Sequence, residues 1–64
     1  MKKGDVIKIL HTRNALFVGK PAIVDEVKPW GVQAYLNMEG GGEAYIRLAN
    51  GEFELALKGA EYHG

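Results

Sequence analysis

A chain of 64 residues forms one domain, and a domain of this size buries only ~60% of the surface that its unfolded chain exposes. Eight basic residues balance eight acidic ones, which argues against a protein that binds nucleic acid chiefly by neutralising phosphates. The absence of cysteine excludes disulfides and thiolate metal sites. We therefore expect a small domain without a metal or cofactor, whose marginal core favours docking on a partner or on copies of itself.

The first apolar run, at residues 6–10, follows a basic start of the chain. It is too short for a secretory signal, and no segment approaches the ~20 apolar residues that span a bilayer. We therefore expect a cytoplasmic protein that makes no membrane contact. The run is rich in β-branched residues and predicts the first strand, with Ile7 and Ile9 on one face and Lys8 on the other.

Two less regular segments follow this strand. Residues 11–19 lack clean alternation, so we predict a long loop, or alternatively a short helix, that folds Leu16 or Phe17 onto the core. Residues 22–27 predict a second strand, but Asp25-Glu26 interrupts its apolar pattern. Strict alternation would bury a carboxylate or expose a valine, and a β-bulge at this point avoids both.

The second half of the chain predicts a turn followed by a double hairpin. Lys28-Pro29-Trp30-Gly31 has proline and glycine where a type I turn prefers them. Residues 32–57 then alternate apolar and polar side chains, with interruptions at Gly40-Gly41-Gly42 and at Asn50-Gly51. The glycine triplet favours a loop tip, and Asn-Gly favours a two-residue type I′ hairpin turn with positive φ at both positions. We therefore predict that the last three strands pair in sequence order.

The positions of the two turns predict a strand register. The predicted apolar pairs are Leu36–Ala44, Ala34–Ile46, Val32–Leu48, Leu48–Phe53 and Ile46–Leu55. Both turns place these residues on one face, and a slip of one residue would expose them all, so their agreement supports the register. The predicted core consists of Phe53, Leu55, Ile46, Leu36, Val32, Ile7 and Ile9. On the opposite face, Tyr35 lies beside Tyr45, and Arg47 lies between Gln33 and Glu54.

Five short strands with a long loop after the first predict an all-β fold, a small and strongly bent barrel. The opening Gly4-Asp5-Val6-Ile7-Lys8-Ile9, with Gly19 and the valine-rich residues 22–27, resembles SH3-like barrels. This superfamily includes KOW modules of ribosomal and transcription proteins, the small peripheral barrel subunit of photosystem I, and type II dihydrofolate reductases. The resemblance implies one five-stranded SH3-like barrel over residues 1–64, in which 58–64 form a short frayed tail. It implies a fold rather than a function.

Catalytic function has little support in the sequence. Type II dihydrofolate reductases are tetramers that carry a Val-Gln-Ile-Tyr string late in the chain. Val32-Gln33-Ala34-Tyr35 is similar but lies one strand earlier, and the penultimate strand reads Ala44-Tyr45-Ile46-Arg47. His11 and His63 lack triad or metal-ligand spacing, and the carboxylates of Asp25-Glu26 would point to opposite faces of a strand. We predict no catalytic residue, and an oligomeric barrel enzyme is the third alternative.

The outward face carries the candidate binding residues. They are Tyr35, Tyr45, Arg47 and Gln33, with Trp30 at a turn tip. Because tyrosine, tryptophan and arginine are enriched at the centres of protein interfaces, we predict a non-catalytic protein-interaction module. The alternative is a KOW-like nucleic-acid-associated module, in which the aromatic rings stack on bases. Purely structural roles are also open: a tyrosine pair that only stabilises the sheet, an Arg47–Glu54 surface ion pair, and Trp30 as a lid over one end of the barrel.

Overall fold

The computed structural model describes residues 1–57, apart from the side chain of Leu57. Five strands form a single antiparallel sheet, and this part of the chain contains no α-helix. The elements are β1 (Val6–Ile9), a 3₁₀ helix (Ala15–Phe17), β2 (Pro21–Lys28), β3 (Gly31–Asn37), β4 (Glu43–Ala49) and β5 (Phe53–Leu57). The five predicted strands are confirmed, and the predicted tail at 58–64 lies outside the described residues. Within residues 1–57, no helix has the length and apolar character needed to cross a bilayer.

The long loop after β1 folds one aromatic side chain inward. The side chain of Asn14 accepts a hydrogen bond from the N–H of Leu16 at 3.0 Å and caps the 3₁₀ helix. Phe17 packs against the core, whereas Leu16 is 76% exposed. Consecutive side chains of a 3₁₀ helix point in different directions, so only one of the two can face the core. The predicted loop is confirmed, with Phe17 as its inward residue.

The predicted bulge lies in β2. The register between β2 and β3 shifts between Val24 and Glu26. Val24 is buried, but Val27 is 49% exposed, so the expectation that the bulge avoids exposing a valine is wrong. The extra residue lets β2 keep Val24 in the core without burying the carboxylate of Asp25 beside it.

Gly31 begins β3 where the backbone of β4 lies very close. It pairs with Lys28 across the turn formed by Pro29 and Trp30, which confirms the predicted turn position. A Cβ atom at Gly31 would lie 1.9 Å from the backbone oxygen of Leu48. Only a residue without a side chain permits this approach, so glycine is required here by contact with the neighbouring strand.

The predicted register between β3 and β4 is confirmed. The observed pairs include Val32–Leu48, Gln33–Arg47, Ala34–Ile46, Tyr35–Tyr45 and Leu36–Ala44. The two strands are joined by the glycine loop, in which Gly40, Gly41 and Gly42 all have positive φ. Side chains on paired strands alternate in step, so the apolar residues of both strands share one face and the tyrosines share the other.

The predicted pairing of β5 with β4 is wrong. β5 pairs with β1, and the order of strands across the sheet is β4-β3-β2-β1-β5. The observed pairs are Lys8–Glu54, Ile7–Leu55 and Ile9–Phe53, in place of the predicted Leu48–Phe53 and Ile46–Leu55. The predicted neighbourhood of Arg47 and Glu54 is lost for the same reason.

The turn between β4 and β5 explains this difference. Gly51 has φ of 94°, but the φ of Asn50 is not positive, so the turn is not type I′. The N–H of Glu52 donates to the carbonyl of Ala49 at 2.9 Å, which together with Gly51 in the third position is the pattern of a type II turn. Type II turns splay the two strands that they join, so β5 leaves β4 and crosses to β1.

The core lies on the inner face of the curved sheet. Its buried members are Ile7, Ile9, Ala22, Val24, Val32, Ala34, Leu36 and Leu48. Of the predicted core, Phe53 and Ile46 lie partly buried at its margin. Leu55 was predicted to be buried, which is wrong: it is 42% exposed, because β5 is an edge strand with no neighbour on its far side among residues 1–57. No ladder joins β4 to β5 within residues 1–57, so the sheet is not closed into a barrel.

Candidate functional site

Two tyrosines lie side by side on the outer face of the sheet. Tyr35 and Tyr45 are directly opposite each other in the β3–β4 register, and their ring centroids are 5.8 Å apart with planes tilted by 46°. This separation falls within the range of favourable aromatic pairs. Tyr45 is 61% exposed, so one of the two rings presents most of its surface to solvent.

The tyrosine pair is part of a longer apolar row. Tyr35 also pairs with Ile23 in β2, and Ile23 pairs with Val6 in β1. Residues that are directly opposite in adjacent strands share a face, so Val6, Ile23, Tyr35 and Tyr45 form one line across four strands. We call this line the aromatic row. Its first three members are partly buried, and its exposure increases toward the β4 edge.

A polar row runs beside the aromatic row. Gln33 pairs with Glu26 in β2 and with Arg47 in β4. The Gln33 amide also donates to Asp25 at 3.5 Å, at the upper limit for a hydrogen bond. Between this polar row and the tyrosine pair lies an open depression of about 410 Å³, lined by Gln33, Tyr45, Ile46 and Arg47. The structure thus brings four predicted residues together: Gln33, Tyr35, Tyr45 and Arg47.

The polar row ends in a charged side chain on each side: Glu26 forms an ion pair, and Arg47 forms none among residues 1–57. The Glu26 carboxylate contacts the Lys28 ammonium at 2.8 Å. This hydrogen bond, supported by the charge of Lys28, lowers the pKa of Glu26 below its ordinary value. Among residues 1–57 no carboxylate lies within ion-pair distance of Arg47, so its guanidinium faces solvent beside the depression.

Trp30 lies apart from these rows. It occupies the β2–β3 turn, its side chain is 46% exposed, and its carbonyl accepts a hydrogen bond from the N–H of Asn50 at 2.9 Å. It does not line the depression beside Arg47. Because about half of its surface is covered, the alternative role of Trp30 as a lid over one end of the barrel stays a hypothesis.

The bulge in β2 changes the expected placement of Asp25 and Glu26. Adjacent strand residues normally point to opposite faces, but here Gln33 is paired with Glu26 and bonds to Asp25. The Asp25 carboxylate therefore contacts the Gln33 amide, whereas the Glu26 carboxylate contacts Lys28. A glutamate with the ordinary pKa of 4.5 is already ionised at neutral pH, and the lowered pKa of Glu26 makes it still less suited to act as a general acid. The described residues contain no group of three or more His, Asp or Glu side chains that could hold a metal ion. His11 lies in the exposed loop after β1, and His63 lies outside the described residues.

The two members of the aromatic row on β1 and β2 are not among the site residues predicted from the sequence. Val6 and Ile23 alternate with buried neighbours, which signals that they face outward. Their alignment with the tyrosines depends on the β1–β2 register, which no short turn sets, and on the β2–β3 register, which the bulge shifts between Val24 and Glu26. Comparisons of the chain with protein-family models, with curated proteins and with solved structures gave no significant match.

Proposed function

We propose that this protein is a non-catalytic interaction module that binds a protein partner through the outer face of its sheet. The observation that carries the proposal is the aromatic row, which crosses four strands and ends at the exposed ring of Tyr45. Contiguous apolar surface on a small protein, bordered by polar groups, is typical of an interaction site. Tyrosine and arginine are among the residue types that contribute most to binding.

The neighbouring polar row suggests what the partner presents. An apolar or aromatic side chain of the partner would pack on the Tyr35–Tyr45 pair, next to the depression. The guanidinium of Arg47 would then donate to a carboxylate or a backbone carbonyl of the partner, because it is exposed beside the depression and carries several N–H donors. Zero net charge on the chain favours this partner over a polyanion.

We infer that the fold that carries this face is an SH3-like barrel, open between β4 and β5. Five antiparallel strands and the long loop after β1 support this assignment. Among the described residues no ladder joins β4 to β5, and this opening departs from a closed barrel. The interaction face does not depend on the assignment, because it is built from the β1–β2–β3–β4 registers alone.

The test is a pull-down from the native host with matched variants. Tyr35→Ala with Tyr45→Ala should lose a partner that the parent chain retains, while Leu16→Ala, which removes a more exposed apolar side chain elsewhere, should retain it. Arg47→Ala should weaken retention, and nuclease should have no effect. Retention by the double tyrosine variant would place the site elsewhere, with Trp30 the first candidate. A partner that is lost with nuclease or steeply with salt would identify a nucleic-acid-associated module instead.

A further inference from the structure

The backbone of β4 alternates in the direction of its hydrogen-bonding groups. At one end of the β3–β4 ladder, the N–H of Met38 donates to the carbonyl of Gly42, and at the other end the N–H of Asn50 donates to the carbonyl of Trp30. Hydrogen-bonded pairs recur at every second residue of an antiparallel ladder. Because both end bonds involve even-numbered residues, the backbone N–H and C=O groups of the even-numbered residues of β4 bond to β3. The odd-numbered residues, Glu43, Tyr45, Arg47 and Ala49, therefore direct their N–H and C=O groups away from β3, toward the open edge.

One end of this edge is already occupied. The N–H of Ala49 donates to the Glu52 carboxylate at 2.7 Å, and the carbonyl of Ala49 accepts from the N–H of Glu52 at 2.9 Å. Both groups of Ala49 thus face the open edge, as the alternation requires. At the other end the chain turns into the glycine loop, where Gly41 bonds back to Met38. Residues 43–47 remain as an edge segment whose outward backbone groups bond to no residue within 1–57.

We propose that two copies of the chain pair along this segment, antiparallel and centred on Tyr45. A two-fold axis perpendicular to the sheet then places Tyr45 opposite Tyr45 of the second copy, and Glu43 opposite Arg47 of the second copy. In this register, each residue of one copy whose outward N–H and C=O groups are unbonded within residues 1–57 lies opposite such a residue of the other copy. A shift by two residues in one direction places Glu43 opposite Ala49, whose N–H and C=O groups are already bonded to Glu52. A shift by two residues in the other direction places Arg47 opposite the glycine loop, which turns away from the edge.

Side chains favour the same register. Charges on an edge strand usually oppose pairing with another strand. Here the antiparallel arrangement brings opposite charges together twice, Glu43 with Arg47 in each direction, and cross-strand pairs of opposite charge are stabilising. On the inner face, Ala44 would lie opposite the partly buried Ile46 of the second copy. This complementarity lies within the segment itself, which is why we assign the edge to a second copy rather than to a foreign strand.

The dimer would also change the binding face. Both copies present their outer faces on the same side, so the two aromatic rows would meet at the pair of Tyr45 rings and form one continuous line. The homodimer does not rest on the proposed partner binding, because it is carried by the backbone groups and charges of β4. A small domain with a marginal core also gains stability from self-association.

Charge exchange tests the register in solution. Glu43→Arg alone and Arg47→Glu alone place like charges opposite each other and should each weaken dimerisation at least about tenfold. Mixed in equal amounts, these two variants should form a heterodimer, since both cross-strand pairs are again of opposite sign. The control pair is Glu39→Arg with Lys20→Glu, which makes the same changes of net charge at exposed positions outside β4. These controls should each dimerise like the parent, with no gain on mixing. Sedimentation equilibrium at about 0.15 M salt measures all of these species.

Amide exchange provides a second measurement on the parent chain alone. The amide of Ile46 bonds to β3 and should exchange slowly at every protein concentration. The amides of Tyr45 and Arg47 should exchange fast in dilute protein and slow down as the concentration rises into the dimeric range. The proposal is overturned if the parent is a monomer up to about 1 mM, if the mixed charge variants stay monomeric although both are folded by circular dichroism, or if the Tyr45 amide exchanges at a rate independent of concentration.

Discussion

Leu48 and Leu55 carry the same side chain in strands that follow each other in the chain, β4 and β5, but the two residues lie in opposite environments. Leu48 is fully buried, so Leu48→Ala loses about 2.4 kcal/mol of transfer free energy for three carbons, and with the cavity term about 2–5 kcal/mol in total. Leu55 is 42% exposed at an open edge, so Leu55→Ala should lose about 1–1.5 kcal/mol, with no enclosed cavity left behind. At about 0.05–0.15 kcal/mol per residue, a 64-residue domain has roughly 3–10 kcal/mol to lose, so Leu48→Ala approaches its limit.

Urea unfolding followed by far-UV circular dichroism measures both variants against the parent. Leu48→Ala should lower the free energy of unfolding by at least about 1 kcal/mol more than Leu55→Ala. Should Leu48→Ala not fold at all, Ile9→Val at another fully buried position gives a milder loss of about 0.5–1.5 kcal/mol. Equal losses for the two leucines would mean that β5 is covered, and the pairing of β5 with β1 at an open edge would be wrong.

Three further substitutions test the turns and the surface ion pair. Gly31→Ala should destabilise by about 3 kcal/mol or more, because its Cβ meets the β4 backbone rather than a side chain that can move; a melting temperature like that of the parent would contradict this contact. Gly51→Ala should cost about 1–2 kcal/mol from positive φ alone, since nothing lies near its Cβ, whereas Asn50→Ala should stay within about 0.5 kcal/mol. Equal urea midpoints for these two variants would refute the type II turn. Lys28→Ala should raise the Glu26 pKa toward its ordinary value of 4.5 in an NMR titration. In the parent, the lowered pKa means that the Glu26–Lys28 contact stabilises the fold above pH 4.5 and is lost as the pH falls through the folded-state pKa; an unchanged pKa in the variant would assign the shift to another cause.

Part of the candidate site follows from the sequence because it depends on one short loop. The glycine triplet joins two alternating strands, so centring it sets which residues face each other, and one slip would expose the whole apolar face. Tyr35, Tyr45, Gln33 and Arg47 are therefore placed correctly by local pattern. The bulge at Asp25 is also local, since two apolar residues of β2 conflict with strict alternation.

The position of β5 is different, because Asn50-Gly51 accommodates more than one turn type. A type I′ turn would keep β5 on β4, and a type II turn directs it away; both accept glycine in the third position. Which turn forms depends on whether pairing with β4 or pairing with β1 gives β5 the lower free energy. β1 lies more than forty residues earlier in the chain. The pairing of β5 with β1 is between residues distant in sequence, and the alternation of apolar and polar residues along the chain does not indicate which of the two pairings is more stable. Local alternation thus determined the tyrosine face, while tertiary pairing alone decided that, within residues 1–57, β4 keeps an open edge beside it.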